Sequence, residues 1–370
     1  MKIKTLSVFI VEIPMTHSFS TSFGTLNHKP TVLVRIEVQD GLVGWGEGSA
    51  LPFPNYKPDT TDTTYLALVK YIAPQILGKT LKHPSDVLDL YKNIKGHNFA
   101  KTAVESALWM IYSLKKNRPL CELVSGTRDA IPVGESLGIK NSIEETLDEV
   151  TQRLDEGYRR IKLKIMPGWD VKLVETVRNK FDTIDLMVDG NSAYTLKHIA
   201  IFRELDHFNL TMIEQPLADD DIIDHATLQK QIKTPICLDE SILGVEDARK
   251  AIHLGACKII NIKPGRVGGV TISKRIHDLC QEKGIGVWCG GMMETGIGRA
   301  YNIALASQSN FIYPADMSLN NLYFKEDIIE PTYTVDSQGY IEVSKKPGLG
   351  YEILEDRIEK YAVTKEEFSA

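Results

Sequence analysis

The chain has 370 residues, 43% hydrophobic and 25% charged, which is typical of a globular protein large enough for two domains. Its net charge of −6 and the lack of a basic block argue against a nucleic-acid partner. No apolar run approaches the roughly 18 residues of a membrane span, so no membrane association is expected.

The N-terminus and the cysteines favour a cytoplasmic protein. Residues 1–10 begin like a signal peptide, but the apolar stretch is short, runs into Glu12 and is followed by no small-residue cleavage site. We therefore predict a strand there. The five cysteines form no CxxC pair and no zinc spacing, so buried, reduced thiols are expected.

The first part of the chain has the pattern of an α+β domain. Residues 31–38 alternate like a strand, Asp40 and Gly41 make a turn, and residues 43–47 return as the hairpin partner. Helical periodicity predicts three helices, at 63–77, 84–95 and 100–116. Strands followed by helices predict an α+β domain over residues 1–125.

From Ile131 onwards the pattern becomes strand, loop and helix in repetition. Eight strands are predicted, at 131–138, 160–165, 184–189, 210–214, 235–239, 257–262, 285–289 and 311–314. The helices between them are amphipathic, as at 143–156 and 245–254. This alternation predicts a parallel sheet closed into a barrel over residues 126–326, with the tail 327–370 returning to the first domain.

An open, doubly wound sheet is the alternative to a barrel. No GxGxxG segment follows a strand here, so that alternative has no cofactor loop to support it. The KPGRVGG segment at 263–269 resembles a phosphate loop only weakly, and an ordinary loop between a strand and a helix is the preferred interpretation.

Five ionisable residues recur at a nearly constant interval, each at or just after the end of a predicted strand. They are Lys164, Asp189, Glu214, Asp239 and Lys263, separated by 25, 25, 25 and 24 residues. A strand-plus-helix unit has about this length, since eight units make a barrel of about 250 residues. Barrel enzymes carry their catalytic groups at these strand ends, so the series predicts an active site.

Two lysines share one face of the second predicted strand. Lys162 and Lys164 alternate with Ile161, Leu163 and Ile165, so both point into the barrel if the apolar face meets the helices. Solvated lysines on a half-exposed strand are the alternative. Inside a barrel, a buried ammonium group must be paired or neutral.

The three acids between the lysines predict a metal site. Asp189, Glu214 and Asp239 would converge from consecutive strand ends, where three negative charges need a cation. Oxygen ligands without His or Cys favour one Mg²⁺ ion, with Mn²⁺ as a substitute. The alternative is that each acid caps a helix or makes a local turn, as the Asp-Gly-Asn sequence at 189–191 could.

Lysines on both sides of a metal suit the abstraction of a proton next to a carboxylate. The metal would stabilise the resulting enediolate, and a lysine would take the proton. The metal, the second lysine and partial burial would lower the lysine pKa toward the working pH. A Schiff-base lysine is the competing use, but it leaves the three acids unexplained. We therefore expect a small-molecule carboxylate substrate.

These residues resemble the enolase superfamily, in its muconate-lactonizing subgroup. The absence of a His near the end of the seventh predicted strand, in VWCGGMMETGIG, speaks against the mandelate racemase subgroup. The segments 131–139, 260–269 and 287–300 resemble the o-succinylbenzoate synthase/N-succinylamino acid racemase family, over essentially the whole chain. The resemblance implies an α+β capping domain, completed by the C-terminal tail, on a modified (β/α)7β TIM-type barrel, and a homo-oligomer.

The resemblance also assigns residues to roles. It makes Lys164 and Lys263 the acid/base pair and Asp189, Glu214 and Asp239 the Mg²⁺ ligands. Lys162 would bind the substrate carboxylate or help lower the pKa of Lys164. The part of the pocket that takes the succinyl group would be lined by Ser136, Gly291 and Met292. Asn191 and Glu240 would orient the metal ligands, and Arg266 would modulate Lys263 or form a loop salt bridge.

Substrate specificity is expected from two loops of the capping domain, at 18–26 and 50–56. Their aromatic residues could cover the substrate and exclude water: Phe19, Phe23, Phe53 and Tyr56. Ordinary packing between the domains is the alternative for each of them.

The resemblance implies a hydro-lyase, o-succinylbenzoate synthase, which dehydrates a cyclohexadiene precursor in menaquinone synthesis. The alternative is racemisation of N-succinyl or other N-acyl amino acids, and the two activities could coexist. Dipeptide epimerisation is a lesser alternative, for which Asp316 is the candidate to hold a free amine. A catalytically silent binding barrel is a further class, disfavoured by the presence of all five polar residues.

Overall fold

The computed structural model describes residues 1–21 and 24–370. Its strands, in chain order, are β1 Ile3–Val11, β2 Phe19–Thr21, β3 Gly24–Leu26, β4 Thr31–Val38, β5 Val43–Gly48, β6 Ala130–Leu137, β7 Arg160–Lys164, β8 Asp185–Asp189, β9 Ile213–Glu214, β10 Ile236–Leu238, β11 Ile259–Ile262, β12 Gly286–Cys289, β13 Ala315–Asp316, β14 Ile329–Glu330, β15 Tyr340–Glu342, β16 Glu352–Ile353 and β17 Ala362–Ser369.

The α-helices of the same ranges include one long helix in the first domain and one or more after each barrel strand but the last. They are α1 Thr61–Ala67, α2 Ala73–Ile76, α3 Val87–Leu90, α4 Asn98–Lys116, α5 Leu120–Leu123, α6 Ile143–Asp155, α7 Val171–Lys180, α8 Ile199–Leu205, α9 Ile222–Gln229, α10 Val245–Leu254, α11 Pro264–Val267, α12 Val270–Glu282, α13 Gly296–Ala306 and α14 Glu355–Tyr361. None of these helices combines the length and hydrophobicity that a transmembrane span needs.

The first domain is an antiparallel sheet of four strands, in the order β17-β1-β4-β5, with α4 packed across β5. The predicted hairpin is confirmed, with Glu37 opposite Val43. Gly46 lets the helix backbone approach the sheet, because a Cβ there would lie 2.0 Å from the carbonyl oxygen of Ala103. The last strand, β17, pairs along β1, so the C-terminal tail completes this sheet as expected.

Two of the predicted helices in this domain are interrupted or shorter. The helix expected at 63–77 is observed as α1, a π-helical turn at Leu68–Ile72 and α2. Pro74 follows the π-helical turn. Because proline has no backbone N–H, it cannot donate the hydrogen bond that would continue a regular helix. The helix expected at 84–95 is a 3₁₀ turn followed by α3, and ends at Leu90.

The second domain is a parallel sheet of eight strands in the order β12-β11-β10-β9-β8-β7-β6-β13. Phe311 forms a bridge to Val287 of β12, so the sheet is nearly closed into the predicted (β/α)7β barrel. The eighth strand was predicted at 311–314 but lies at β13, Ala315–Asp316, beside β6. Pro314 separates the two pairings, since it cannot donate a hydrogen bond to the ladder.

The C-terminal tail serves both domains. Before β17 joins the first sheet, β15 pairs antiparallel with β6 of the barrel, Tyr340 opposite Pro132. Because the tail pairs with both sheets, the domain limits 1–125 and 126–326, with the tail 327–370 assigned to the first domain, stay a prediction.

The apolar faces and the cysteines lie where the pattern predicted. One buried cluster lies beneath the first sheet, and a larger one surrounds the barrel strands. A third closes the inside of the barrel, with Met187, Met212 and Trp288 among its members. All five cysteines are buried and unpaired.

The KPGRVGG segment serves contact between the domains. Glu105 of α4 accepts hydrogen bonds from the backbone N–H groups of Val270 (2.7 Å) and Thr271 (3.0 Å), at the start of α12. Gly269 has φ +115°, and a Cβ there would lie 2.5 Å from the Glu105 carboxylate. The glycine thus admits a side chain of the capping domain.

Candidate active site

The barrel places all five residues of the regular series at one end of the sheet. Lys164, Asp189 and Glu214 are the last residues of β7, β8 and β9 and lie directly opposite one another in register. Asp239 and Lys263 immediately follow β10 and β11. All five side chains are buried, with Lys164 the most exposed at 8%.

Each acid of the series is paired with a lysine. Lys164 Nζ lies 2.6 Å from Asp189 Oδ2, and Lys263 Nζ lies 2.8 Å from Asp239 Oδ2. The central acid, Glu214, is paired with Lys162, and Lys162 Nζ lies 3.0 Å from Glu214 Oε2. Lys162 and Lys164 therefore both point into the barrel, which excludes solvated lysines on a half-exposed strand.

Neutral donors and one arginine occupy the other oxygen of each acid. The Asn191 N–H donates to Asp189 Oδ1 (2.9 Å), and Asn261 Nδ2 donates to Glu214 Oε1 (2.6 Å). The Tyr56 hydroxyl donates to Asp239 Oδ1 (2.9 Å), which also contacts the Arg266 guanidinium. The Arg266 side chain thus forms a salt bridge with Asp239, and its backbone N–H donates to the carbonyl oxygen of Lys263 (3.0 Å).

The donor chemistry of these residues fits Mg²⁺, although lysines hold the carboxylates. Within residues 1–21 and 24–370, no three or more His, Cys, Asp or Glu side chains gather around one point as metal ligands would. However, Asn191 Oδ1 and Glu240 Oε2 are buried oxygens without a hydrogen-bond partner in that part of the chain. Buried oxygens of this kind call for a cation or a donor, and hard oxygen ligands favour Mg²⁺.

Burial close to other carboxylates shifts the pKa of two acids at this site. Burial, and then the charge of Asp189, raises the pKa of Glu240 to about 7. The same two causes raise the pKa of Glu214. Burial alone would lower the pKa of Lys263, but the negative charges of Glu214, Glu240 and Asp189 outweigh it and hold that pKa well above its usual range. A lowered lysine pKa therefore requires another positive charge among these carboxylates.

A cavity of about 580 Å³ between the capping domain and the barrel gives access to this site. Lys164, Lys263 and Asn191 line its barrel side, together with Gly291 and Met292. The loop at 50–56 forms the opposite wall. From that loop Phe53 stands at the mouth with 68% of its surface exposed, whereas Tyr56 is buried.

A smaller cavity of about 60 Å³ lies beside it in the barrel. It is lined by Ser136, Lys162, Lys164, Lys263, Gly291, Met293, Arg299, Asp316 and Tyr323. The Ser136 hydroxyl is buried and makes no hydrogen bond within the described residues, so it is available to a bound polar group.

The roles of the other two aromatic residues of the capping loops stay predictions. Phe19 lies in β2, which pairs with β3, and Phe23 falls outside the described residues.

Comparison with known proteins agrees with this architecture. A model of the mandelate racemase / muconate lactonizing enzyme N-terminal domain matches residues 5–147, and an enolase C-terminal domain-like model matches residues 145–357. The chain is 46% identical to the o-succinylbenzoate synthase of Bacillus subtilis (strain 168), covering 100% of this chain and 99% of that protein. It is 40% identical to the N-succinylamino acid racemase of Thermus thermophilus, covering 100% of both.

The chain belongs to the o-succinylbenzoate synthase/N-succinylamino acid racemase family of the enolase superfamily. A solved structure of an enolase superfamily member from Listeria innocua superposes with a TM-score of 0.96 at 38% identity, covering 100% of this chain and 99% of the other. The predicted family and fold are thereby confirmed.

Two inward-facing residues at this site, Asn261 and Arg160, were not predicted from the sequence. Asn261 binds Glu214 and also accepts from the backbone N–H of Gly290 (2.8 Å). Arg160 is buried and shares the Asp316 carboxylate with Lys162. Asn261 lies two residues before Lys263, and Arg160 lies two residues before Lys162. Because side chains two apart on a strand share a face, the predicted lysines could have identified both.

Proposed function

We propose that this protein is an o-succinylbenzoate synthase, a hydro-lyase that dehydrates the cyclohexadiene precursor in menaquinone synthesis. The observation that carries the proposal is the placement of two lysines on either side of the buried carboxylates. Lys164 lies beside Asp189 and Lys263 beside Asp239, and both lysines line the same cavity. Full-length relatives of that name support the choice of substrate.

The chain's own residues would divide the reaction between them. Lys164 Nζ removes the proton α to the substrate carboxylate and returns it to the departing hydroxyl, which leaves as water. Lys263 Nζ stays cationic beside the developing negative charge, and Lys162 contacts the substrate carboxylate.

Asp189, Glu214 and Asp239 would hold one divalent ion, Mg²⁺ or Mn²⁺ in its place. When bound, the ion would neutralise the charge that develops on the substrate carboxylate. Asn191 and Glu240 would orient these ligands, and Arg266 would hold Asp239.

The remaining assignments concern the substrate. Ser136, Gly291 and Met292 would line the part of the site that takes the succinyl group. Phe19, Phe23 and Phe53 would cover the substrate from the capping domain.

Racemisation of N-succinyl or other N-acyl amino acids is the second candidate function. The two lysines have matching positions, each ion-paired to an acid and each lining the cavity, so each could exchange a proton on one face of the substrate. Relatives named N-succinylamino acid racemase match over the full chain.

One experiment separates these functions. The purified protein with Mg²⁺ is given the cyclohexadiene precursor and, separately, N-succinyl-phenylalanine, and both rates are compared with those after EDTA treatment. We expect faster dehydration than racemisation and loss of both on chelation. No turnover of the precursor would reject the synthase, and no exchange of substrate α-protons with D₂O would reject catalysis altogether. Activity that survives EDTA would reject the metal.

By family resemblance, we also propose a cytoplasmic homo-oligomer. Light scattering after size exclusion would give the mass in solution, and a mass near 41.4 kDa would contradict the oligomer.

A further inference from the structure

A second group of charges lies inside the barrel, next to the proposed metal ligands. Asp316 ends β13, is buried, and holds two cations. Its Oδ2 lies 2.6 Å from Lys162 Nζ, and its Oδ1 lies 2.6 Å from the Arg160 guanidinium. Arg299 donates a hydrogen bond of 2.6 Å to the backbone oxygen of Asp316. The carboxylate of Asp316 is therefore held by two cations, and its backbone by a third.

Lys162 stands between this carboxylate and the proposed ligands. Its Nζ is 2.6 Å from Asp316, 3.0 Å from Glu214 and 3.7 Å from Asp189. An ammonium group and a divalent cation repel each other at such distances, especially where water is excluded. The closer Lys162 stands to Glu214, the less favourable ion binding becomes.

The residues around Asp316 orient its carboxylate so that one oxygen faces Lys162. Arg160 occupies the other carboxylate oxygen, so Oδ2 is left to face Lys162. A Cβ at Gly134 would lie 2.7 Å from the Arg160 guanidinium carbon, so this glycine makes the room that Arg160 needs. The Trp288 ring lies against both cations, 5.1 Å from Arg160 and 4.8 Å from Lys162.

We propose that Asp316 is a positioning residue, which draws Lys162 away from Glu214 and Asp189 and so makes room for the divalent ion. The inference rests on the metal site of the proposed function. It also argues against dipeptide epimerisation, for which Asp316 was the candidate amine ligand. A carboxylate already shared by two cations would have to release one of them to bind a substrate ammonium group.

The test is a thermodynamic cycle on Mg²⁺ affinity, measured by titration calorimetry of the full-length protein without substrate. In Asp316→Asn, Glu214 and Asp189 are the only carboxylates left beside Lys162 among those that contact it. We expect Mg²⁺ affinity to fall by about 10- to 100-fold, the usual effect of losing a group that orients metal ligands. Lys162→Met should bind Mg²⁺ at least as tightly as the unmodified protein. Asp316→Asn added to Lys162→Met should then change the affinity by less than about threefold, because the affected side chain is gone.

Two results would overturn the proposal. One is unchanged Mg²⁺ affinity in Asp316→Asn; the other is an equal loss in the presence and absence of Lys162, which would mean that Asp316 acts by supporting the fold. Asp316→Glu keeps the charge and should retain affinity better than Asp316→Asn. If Asp316→Asn does not fold, Asp316→Ser enters the same cycle, with circular dichroism as the check. An unmodified protein that binds no divalent ion would reject the metal site of the proposed function, and this inference with it.

Discussion

The hydroxyl of Tyr56 donates a hydrogen bond of 2.9 Å to Asp239 Oδ1, so the capping domain directly contacts a proposed metal ligand. The Tyr56 ring also lies 4.7 Å from Lys263 Nζ. Burial raises the pKa of Tyr56, which keeps the hydroxyl a neutral donor. The loop at 50–56 therefore contacts the proposed metal site and lines the cavity next to it.

Tyr56→Phe should lower kcat/KM by about 10- to 100-fold, since a hydrogen bond to a charged group contributes about 1.5–3 kcal/mol. The ring remains to cover Lys263, so the loss reports on the hydroxyl. Tyr65→Phe is the matched control, because its hydroxyl bonds Glu366 in an exposed position outside the cavity. Steady-state kinetics of both variants give the comparison, and equal kcat/KM in the two would contradict the prediction.

The two lysines should differ in what their loss removes. Lys164→Ala should lower dehydration by about 10²- to 10⁴-fold, the usual contribution of a general base. Lys263→Ala should stop racemisation of N-succinyl-phenylalanine but allow exchange of the α-proton of one enantiomer with D₂O, because Lys164 still serves one face. Proton NMR of each enantiomer in D₂O measures this. Exchange of both enantiomers by Lys263→Ala would disprove the two-face arrangement.

Glu105→Ala should destabilise the contact between the domains. Glu105 is fully buried and accepts hydrogen bonds from the backbone N–H groups of Val270 and Thr271 and from the Trp109 indole. Leaving buried donors unpaired costs about 1–3 kcal/mol each, so the free energy of unfolding should fall by about 3 kcal/mol or more.

Urea unfolding measures this change in stability. Glu122→Ala removes an exposed ion pair with Arg118 and is the control, with an expected change of under about 1 kcal/mol. Similar losses in the two variants would show that the network at Glu105 adds little.

Lys29 should give the protein a pH dependence at alkaline pH. Its ammonium is buried against Ser49 (2.9 Å), and burial lowers its pKa to about 8 despite the opposing charges of Glu47 and Glu294. An unfolded lysine titrates near about 10.4, so between pH 8 and that value the unfolded chain binds more protons than the folded one. The contribution of Lys29 to stability is therefore present above this window and is lost as pH falls through 8.

Lys29→Met removes the titrating group and with it this pH-dependent contribution to stability. The free energy of unfolding of the unmodified protein relative to Lys29→Met should rise from pH 8 to 10, by at most about 1.4 kcal/mol per pH unit, and should be flat below pH 7. Urea unfolding at several pH values measures it, with the exposed Lys2→Met as the background. A relative stability that falls with pH would contradict the assigned direction.

Local patterns in the sequence accounted for most of the barrel. The period of two placed Lys162 and Lys164 on one face, and the interval of about 25 residues placed five ionisable groups at neighbouring strand ends. Two of the predictions failed where a proline changed the local hydrogen bonding: Pro74 follows a π-helical turn, and Pro314 divides the eighth strand into a bridge at Phe311 and β13.

By itself the sequence therefore predicted the fold class and the chemical class of the site, because these follow from spacings within one strand or between neighbouring strands. The family came from the resemblance of the segments 131–139, 260–269 and 287–300. The tertiary structure decided the partners of each charge. Tyr56 on Asp239 and Asp316 on Lys162 join residues more than a hundred positions apart. Such contacts depend on where the capping loop and the last barrel strand pack relative to the site. The periodicity of side chains along one strand carries no information about that packing.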